Sequence, residues 1–271
     1  MTSLCRKAIS IVGIAALAAG IATGCGNNGS DDERNVILTI SAAASLTDAL
    51  TEVQERYESS HDSIRLRFNF AASGALQKQV EQGAPIDLFL SASESNMDEL
   101  VEKQLIAADK HANLLLNSLV VVVPKDNEGT ITRLEDLTLP DVVKLAIGIP
   151  ESVPAGSYAV EALTGAGLWD SLRTKTVQAK DVRQVLQYVE TGNVEAGFVY
   201  RTDALASNKV DIAFAVDPGA YKPIVYPIGV VRATKHREEA DEVFDYLRSE
   251  EAMDIFRKYG FESFHLRVVN K

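Results

Sequence analysis

The chain has 271 residues, 46% of them hydrophobic and 24% charged, which is enough for one large or two medium domains with a real core. Its formal net charge is −11, and an acidic surface argues against a nucleic acid partner, whose binding needs a basic surface. Cys5 and Cys25 are the two cysteines, and both precede the expected folded region. The mature domain should therefore contain no disulfide, no cysteine nucleophile and no cysteine-based zinc site.

The first 24 residues have the order of a secretory signal peptide. Arg6 and Lys7 form a short positive segment, and residues 8–22 form an apolar segment that is too short to span a membrane comfortably. We expect residues 1–24 to be removed on export. Without Arg6 and Lys7, 25 basic residues remain against 38 acidic ones, a net charge of −13.

The end of this segment, ATGC at 22–25, resembles a bacterial lipobox, in which the cysteine is lipidated and becomes the mature N-terminus. We expect a lipid on Cys25; the alternative is ordinary secretion with Cys25 left as a thiol. The polar run GNNGSDDERN at 26–35 lacks apolar periodicity and predicts a flexible tether, so that 25–35 links the membrane to the domain.

Strand-like and helix-like runs alternate along the rest of the chain. In chain order, apolar spacing predicts a strand at 36–40, a helix at 46–57, a strand at 64–70, a helix at 76–80, a strand at 86–90, a helix at 97–101, strands at 119–123 and 145–147, helices at 158–163 and 182–189, strands at 195–200, 211–216 and 224–231, and helices at 243–247 and 253–256. This alternation is typical of an α/β fold with mostly parallel sheets.

The run 118–124 suits a crossing between two α/β lobes, and the final helices suit a return to the first lobe. We therefore expect lobe 1 to comprise residues 36–117 and 229–271, and lobe 2 to comprise residues 118–228. No internal repeat or long linker interrupts this region of the sequence.

Four strand-to-helix junctions consist largely of small residues: SAAASLT at 41–47, AASG at 71–74, VPAGS at 153–157 and AKDV at 179–182. The first turn of a helix has unpaired N–H groups and a partial positive charge, and small side chains let an anion approach them. In parallel α/β sheets such junctions gather at the carboxyl edge, where ligands bind. The four junctions together predict a site for a small anion.

Each of these features also has a plainer structural explanation. Ser45, Ser73 and Asp181 are residues of the kind that cap helices. Ala155 and its neighbouring glycine could form only a tight turn, and Tyr200, at a strand end, could be a half-buried core residue. The residues alone leave these alternatives open.

Several longer motifs are more specific. They are AAASLTDAL at 42–50, FAASGALQKQVEQGAPIDLFLSA at 70–92, NSLVVVVPK at 117–125, PESVPAGSYAVEAL at 150–163, DVRQVL at 181–186, GFVYRTDA at 197–204 and IFRKYGF at 255–261. With these motifs the chain closely resembles the molybdate-binding proteins of bacterial ABC importers, over nearly all of 36–261. The resemblance implies a two-lobe periplasmic-binding-protein fold of type II, each lobe a mostly parallel sheet flanked by helices.

In that family two serines, main-chain amides and a tyrosine hydroxyl hold the oxyanion. Carried over by motif, the resemblance implies Ser45 of AAASL, Ser73 of AASGAL, the amide of Ala155 in VPAG, the amide of Val182 in DVR, and Tyr200 of FVY as the ligand-binding residues. This set contains no residue that binds a metal cation directly, and the resemblance implies no cofactor.

The resemblance further implies an exported solute-binding component that captures molybdate, together with tungstate, between two lobes that close on it. Its partners would be the permease and ATPase of an ABC importer, and the membrane through the lipid on Cys25. We expect a monomer on the extracytoplasmic face of the cell membrane or in the periplasm. Backbone amides only donate, which suits a fully ionised dianion better than monohydrogen phosphate. The alternative is a binding protein for another tetrahedral oxyanion such as sulfate.

An enzyme is a competing hypothesis from another class. The four histidines, His61, His111, His236 and His265, lie outside the small-residue junctions. The sequence has no nucleophile elbow, phosphate-binding loop or zinc-protease motif. We therefore expect no catalytic residues. A purely structural lipoprotein, the other competitor, gives no reason for four small-residue helix openings.

Overall fold

The computed structural model describes residues 36–125 and 129–265. The expected signal peptide, the lipidation site at Cys25 and the tether lie outside these described residues. Within the described ranges, no helix combines the length and the apolar composition needed to cross a membrane.

The first half of the chain alternates strands and helices. Its elements are β1 (Val36–Ala43), a short 3-10 turn (Ala44–Leu46), α1 (Thr47–Glu58), β2 (Ile64–Ala71), α2 (Ser73–Glu81), β3 (Leu88–Leu90), α3 (Glu94–Glu102), β4 (Ile106–Asn117) and β5 (Leu119–Pro124). Apolar residues at helical spacing give α1 one buried face, formed by Ala49, Leu50, Val53 and Tyr57. Gly83, with a φ of 77°, takes the left-handed conformation just past the end of α2.

The second half continues the alternation. Its strands and helices are β6 (Leu145–Gly148), α4 (Pro154–Gly165), α5 (Trp169–Leu172), β7 (Thr176–Ala179), α6 (Val182–Glu190), β8 (Ala196–Tyr200), α7 (Arg201–Leu205), β9 (Val210–Ala215), β10 (Ile224–Val231), α8 (Arg237–Leu247), α9 (Glu250–Lys258) and β11 (Glu262–Ser263). Pro154 opens α4, where its missing N–H removes no helical hydrogen bond.

The strands form two sheets, one of six strands in the order β11-β4-β10-β3-β1-β2 and one of five in the order β7-β6-β8-β5-β9. Strand β1 is parallel to β2 and β3, and β6 is parallel to β7 and β8. Strands β10 and β5 run antiparallel to both of their neighbours. The predicted α/β class with helix-flanked sheets is confirmed, but the sheets are mixed rather than mostly parallel, because an apolar run in the sequence carries no direction.

The two sheets share one topology, since each places its antiparallel strand beside the third of three parallel strands. The chain passes from the first sheet to the second between β4 and β5, at Ser118, and returns between β9 and β10. The lobe boundary expected after residue 228 falls inside β10, which already pairs with β4 at Ile224. The six-stranded sheet therefore takes in the whole of β10, beginning at Ile224.

The hydrophobic core runs through both sheets as one cluster of buried side chains, and a smaller cluster lies beneath α2 and α3. Among its largest fully buried members are Tyr57, Tyr200 and Tyr226. Helices α1, α2, α4 and α6 begin near the carboxyl ends of β1, β2, β6 and β7, respectively. The four predicted junctions therefore lie at the ends of parallel strands, two in each sheet.

Candidate functional site

A small cavity lies where the four junctions meet. Its lining residues are Ala43, Ala44, Ser45, Ala71, Ala72, Ser73, Ala92, Val153, Pro154, Asp181, Val182 and Tyr200. The cavity volume of about 10 Å³ is close to the minimum that one water-sized molecule needs. Beside it opens a larger cleft of about 280 Å³, whose lining includes Glu94, Glu99, Glu151 and Glu161. That acidic lining suits an anion less well than the smaller cavity does.

Four of the five predicted site residues line this cavity, namely Ser45, Ser73, Val182 and Tyr200. Ala155 is fully buried and does not line the cavity itself, although the preceding Pro154 does. The junction segments, which are far apart in the sequence, are thus brought together from both sheets.

Neither predicted serine caps a helix. Ser45 lies inside the 3-10 turn before α1, Ser73 is the first residue of α2, and neither helix start has a side-chain capping bond. Asp181 does cap α6, because its Oδ1 accepts the Gln184 amide at 2.8 Å. The capping explanation is therefore wrong for Ser45 and Ser73 and confirmed for Asp181.

The two serine hydroxyls have buried polar partners instead. Ser73 Oγ accepts the amide of Ala92 at 2.9 Å. Ser45 Oγ lies 2.8 Å from Tyr226 Oη, and Asn117 Nδ2 lies 3.3 Å from the same phenol oxygen. Because an amide can only donate, the Ser73 proton stays free to point into the cavity.

Tyr200 contributes a buried hydroxyl without a protein partner. Its side chain is 1% exposed, its ring meets that of Tyr226 edge on at 5.8 Å between centroids, and its Oη makes no hydrogen bond to a described residue. Burial, followed by nearby Tyr226, raises the pKa of Tyr200 well above its usual value, so the hydroxyl keeps its proton. An unsatisfied buried donor is costly in a folded protein and points to a missing partner.

Two helix starts add main-chain donors. Val182 is the first residue of α6 and Ala155 the second of α4, so their amides have no partner within their own helices. A Cβ on Gly156 would lie 2.0 Å from the Gly148 carbonyl oxygen. Only glycine there lets the start of α4 pack this closely against the end of β6.

The ionic groups behind the cavity are paired. Arg183 Nε lies 3.0 Å from Asp203 Oδ1, and Arg183 Nη2 lies 2.5 Å from Asp48 Oδ2. Burial raises the pKa of Asp203 to about 6, opposed by the charge of Arg183 and by the Tyr200 amide that the carboxylate accepts. Burial lowers the pKa of Arg183, but Asp203 and Asp48 outweigh this and the pKa is raised overall. The guanidinium is therefore charged and neutralises the acids around it.

Several contacts close the cavity between the two sheets. Gly74 N donates to Ser152 O at 3.0 Å, and Tyr158 Oη donates to Ala92 O at 3.4 Å. Both bonds join the first half of the chain to the second, as the ion pair of Arg183 with Asp48 also does. The described conformation is thus closed over the site.

Sequence patterns missed Tyr226, Asn117 and Arg183. Tyr226 lies in the uniformly buried β10 and meets Ser45 across 181 residues of sequence. Asn117 is the last residue of β4, and Arg183 belongs to the DVR motif, which drew attention only to its valine. Local patterns carry no signal for Tyr226. Asn117 begins the NSLVVVVPK motif, and a charged side chain at a small-residue junction could have indicated Arg183.

The chain matches the family model of the bacterial extracellular solute-binding proteins over residues 38–262. The chain belongs to this family. Its relatives include a candidate ABC transporter substrate-binding lipoprotein of Bacillus subtilis, YvgL, which is 51% identical over 251 residues, or 92% of this chain and 96% of the relative. The molybdate-binding protein ModA of Escherichia coli is 38% identical over 263 residues, or 95% of this chain and 99% of the relative.

A solved structure of this solute-binding architecture, the periplasmic molybdate-binding protein of Azotobacter vinelandii, superposes with a TM-score of 0.76 at 20% identity. The match covers 83% of this chain and 98% of that one, and at this identity it concerns the fold alone. These comparisons confirm the resemblance to molybdate-binding proteins and the two-sheet periplasmic-binding-protein fold. The family consists of extracellular binding proteins and is not a class of enzymes.

Proposed function

We propose that this solute-binding protein is the extracytoplasmic component of an ABC importer and that it captures molybdate, and with it tungstate, between two lobes. The observation that carries the proposal is the buried Tyr200 hydroxyl, which has no hydrogen-bond partner among the described residues and belongs to a side chain that lines the same small cavity as Ser45 and Ser73. The amides of Ala155 and Val182 complete a set of donors drawn from both sheets.

Affinity in this site would come from hydrogen bonds rather than from a counter-charge. A hydrogen bond to a charged group contributes about 1.5–3 kcal/mol. Several such bonds outweigh the cost of immobilising a small ion, which supports a micromolar or tighter dissociation constant, about −8 kcal/mol. Carboxylates on the acidic surface act more weakly, because salt screens charges beyond about 8–10 Å.

Selectivity would follow from the same donors. A fully ionised tetrahedral dianion needs only donors, whereas monohydrogen phosphate brings a proton that needs an acceptor. Sulfate has the charge of molybdate and is smaller, so size must distinguish the two. Sulfate remains the alternative ligand, and molybdate and tungstate share charge and shape.

We propose two lobes, one around each sheet, with all of β10 assigned to the first. The lipoprotein and ABC transporter named among the relatives support a lipid on Cys25, which would anchor the protein to the extracytoplasmic face of the membrane, and a permease and an ATPase as partners. We further propose that the protein is a monomer. We infer a binding role without catalysis or cofactor. Among the described residues, no cluster of three or more His, Cys, Asp or Glu side chains could hold a metal ion.

Thermal unfolding against a panel of oxyanions tests this function. A ligand that binds only the folded state adds about 2.7 kcal/mol of stability at a hundredfold excess over its dissociation constant. Molybdate and tungstate should raise the melting temperature at concentrations where sulfate and phosphate do not. An equal shift with sulfate would overturn the assignment to molybdate.

Two variants and a control show whether that shift comes from the proposed site. Ser45→Ala and Tyr200→Phe should both reduce the molybdate-induced shift, because each removes one donor. Ser171→Ala removes an exposed hydroxyl that, within residues 36–125 and 129–265, bonds only to the Leu168 carbonyl, and it should keep the full shift. A full shift in both site variants would contradict the residue assignment.

A further inference from the structure

Two polar side chains stand behind Ser45 and connect it to the main chain. We propose that Asn117 and Tyr226 are positioning residues that hold the Ser45 hydroxyl as a hydrogen-bond donor toward the cavity. The inference rests on the proposed oxyanion function and deepens it, because it assigns part of the discrimination against protonated oxyanions to two residues outside the cavity lining.

The orientation of the Asn117 amide is fixed by its neighbours. Ser118 N lies 2.9 Å from Asn117 Oδ1, and a main-chain N–H can only donate, so the atom facing it must be the oxygen. The Asn117 nitrogen therefore faces Thr202 Oγ1 at 2.9 Å and Tyr226 Oη at 3.3 Å. With two protons and no acceptor site, it donates to both.

This favours one direction for the bond between Tyr226 and Ser45, in which either oxygen could be the donor. Tyr226 is 1% exposed, and in the described part of the chain its hydroxyl has hydrogen-bond contacts with Asn117 and Ser45. Because Asn117 donates to the phenol oxygen, the phenol proton is satisfied by pointing to Ser45 Oγ at 2.8 Å. Burial, the main cause, also raises the pKa of Tyr226 well above its usual value, so this proton is retained.

Ser45 consequently accepts from Tyr226 and has its own proton left for the ligand. Ser73 also accepts a hydrogen bond and keeps its own proton for the ligand, because the Ala92 amide donates directly to its Oγ. Of the three hydroxyls lining the cavity, only that of Tyr200 can still either donate to the ligand or accept from it. The hydrogen-bond relay from Asn117 through Tyr226 to Ser45 thus removes one of the three acceptors that a protonated oxyanion would need, and the Ala92 amide removes a second.

The test compares two oxyanions of similar size that differ by a proton. Selenate and arsenate compete with radiolabelled molybdate at mildly alkaline pH, where selenate carries no proton and arsenate carries one. The variants are Tyr226→Phe and a matched control, Tyr221→Phe. Tyr221 is also buried, but its hydroxyl accepts from the main-chain amide of Leu119 at 3.1 Å and has no hydrogen bond to either serine in the described part of the chain.

In Tyr226→Phe the preference for selenate over arsenate should fall about tenfold, the factor that one ordinary hydrogen bond represents. In Tyr221→Phe the preference should equal that of the wild type. An unchanged preference in Tyr226→Phe, or arsenate that fails to displace molybdate from it at any excess, would overturn the relay. Wild-type protein that does not bind molybdate would instead overturn the proposed function.

If Tyr226→Phe does not fold, a second variant tests the orientation of the Ser45 hydroxyl. Asn117→Asp keeps the side-chain size but replaces the donor by an acceptor, which draws the Tyr226 proton away from Ser45. Ser45 would then donate to Tyr226 and offer a lone pair to the ligand. The selenate preference should fall in this variant too, and a wild-type preference would contradict the proposal.

Discussion

Arg183 on helix α6 donates to Asp48 on helix α1, with 2.5 Å between Nη2 and Oδ2. The same guanidinium lies against the buried Asp203, so one side chain connects the two halves of the molecule next to the cavity. A ligand that bridges both halves favours whichever conformation assembles all its donors. Contacts that exist only in the closed form should therefore affect ligand affinity.

Asp48→Asn removes the charge from this pair and should weaken molybdate binding several-fold. Both side chains are partly exposed, so the loss should stay below about 1 kcal/mol and shrink at high salt. Isothermal titration calorimetry at two ionic strengths measures it. Asp170→Asn, which removes a pair between Asp170 and Arg173 within one lobe, is the control. Equal affinities in both variants would argue against a role in closure.

Gly74→Ala should hinder closure while leaving the free protein folded. A Cβ on Gly74 would lie 2.9 Å from the Cα and carbonyl oxygen of Ser152, across the gap between the sheets. We expect weaker molybdate binding and a larger radius of gyration by small-angle scattering. Gly165→Ala, at a helical glycine with no neighbour within 4 Å, should change neither quantity. A normal affinity in Gly74→Ala would show that the contact does not limit closure.

Tyr200→Phe should weaken molybdate binding without destabilising the free protein. The hydroxyl has no partner in the described structure, so its removal should leave the melting temperature of the free protein unchanged or raise it. The affinity for molybdate should fall by about 1.5–3 kcal/mol, the contribution of one hydrogen bond to an anion. Thermal unfolding with and without ligand measures both effects. A destabilised free protein with intact affinity would assign Tyr200 to the core alone.

Asp203 should make the protein less stable as the pH rises from about 4 to about 6. Burial raises the pKa of its carboxyl from 3.8 to about 6, so in this window the folded state holds a proton that the unfolded state has lost. The free energy of unfolding of the wild type, relative to Asp203→Asn, should therefore fall across the window and then level off. Urea denaturation at a series of pH values measures this difference.

Asp136 provides a control of opposite sign. Hydrogen bonds from the Thr132 amide and hydroxyl lower the pKa of its carboxyl, so its contribution to stability is lost as the pH falls. The difference between wild type and Asp136→Asn should therefore rise with pH in the acidic range. A difference for Asp203→Asn that also rises with pH would show that Asp203 is ionised in the fold.

The sequence predicted the alternation of strands and helices well where periodicity was strong. Strand β4 was not predicted, because its first half, near the sheet edge, mixes exposed and buried positions without regular alternation. Helices α5 and α7 have four and five residues, too few to show a helical period. The antiparallel direction of β5 and β10 could not be predicted either, since strand direction depends on how the chain returns between the sheets.

The site was predictable to the extent that its residues belong to local motifs. Ser45, Ser73, Val182 and Tyr200 each lie in a recognisable junction or strand end, and the structure places them around one cavity. Tyr226 was not predictable, because its role depends on a contact with a serine near the other end of the chain. Residues that orient a ligand-binding group are set by tertiary packing, which a single sequence pattern does not encode.

In the proposed site, a neutral set of donors holds a fully ionised dianion in a strongly acidic protein. Calorimetric titration of the purified mature protein with molybdate and with phosphate, under identical buffer conditions, tests this most directly. We predict a micromolar or tighter dissociation constant for molybdate and binding at least about a hundredfold weaker for phosphate, equivalent to two or more hydrogen bonds of ordinary strength. Phosphate binding as tight as molybdate binding would show that this set of donors does not select a fully ionised dianion.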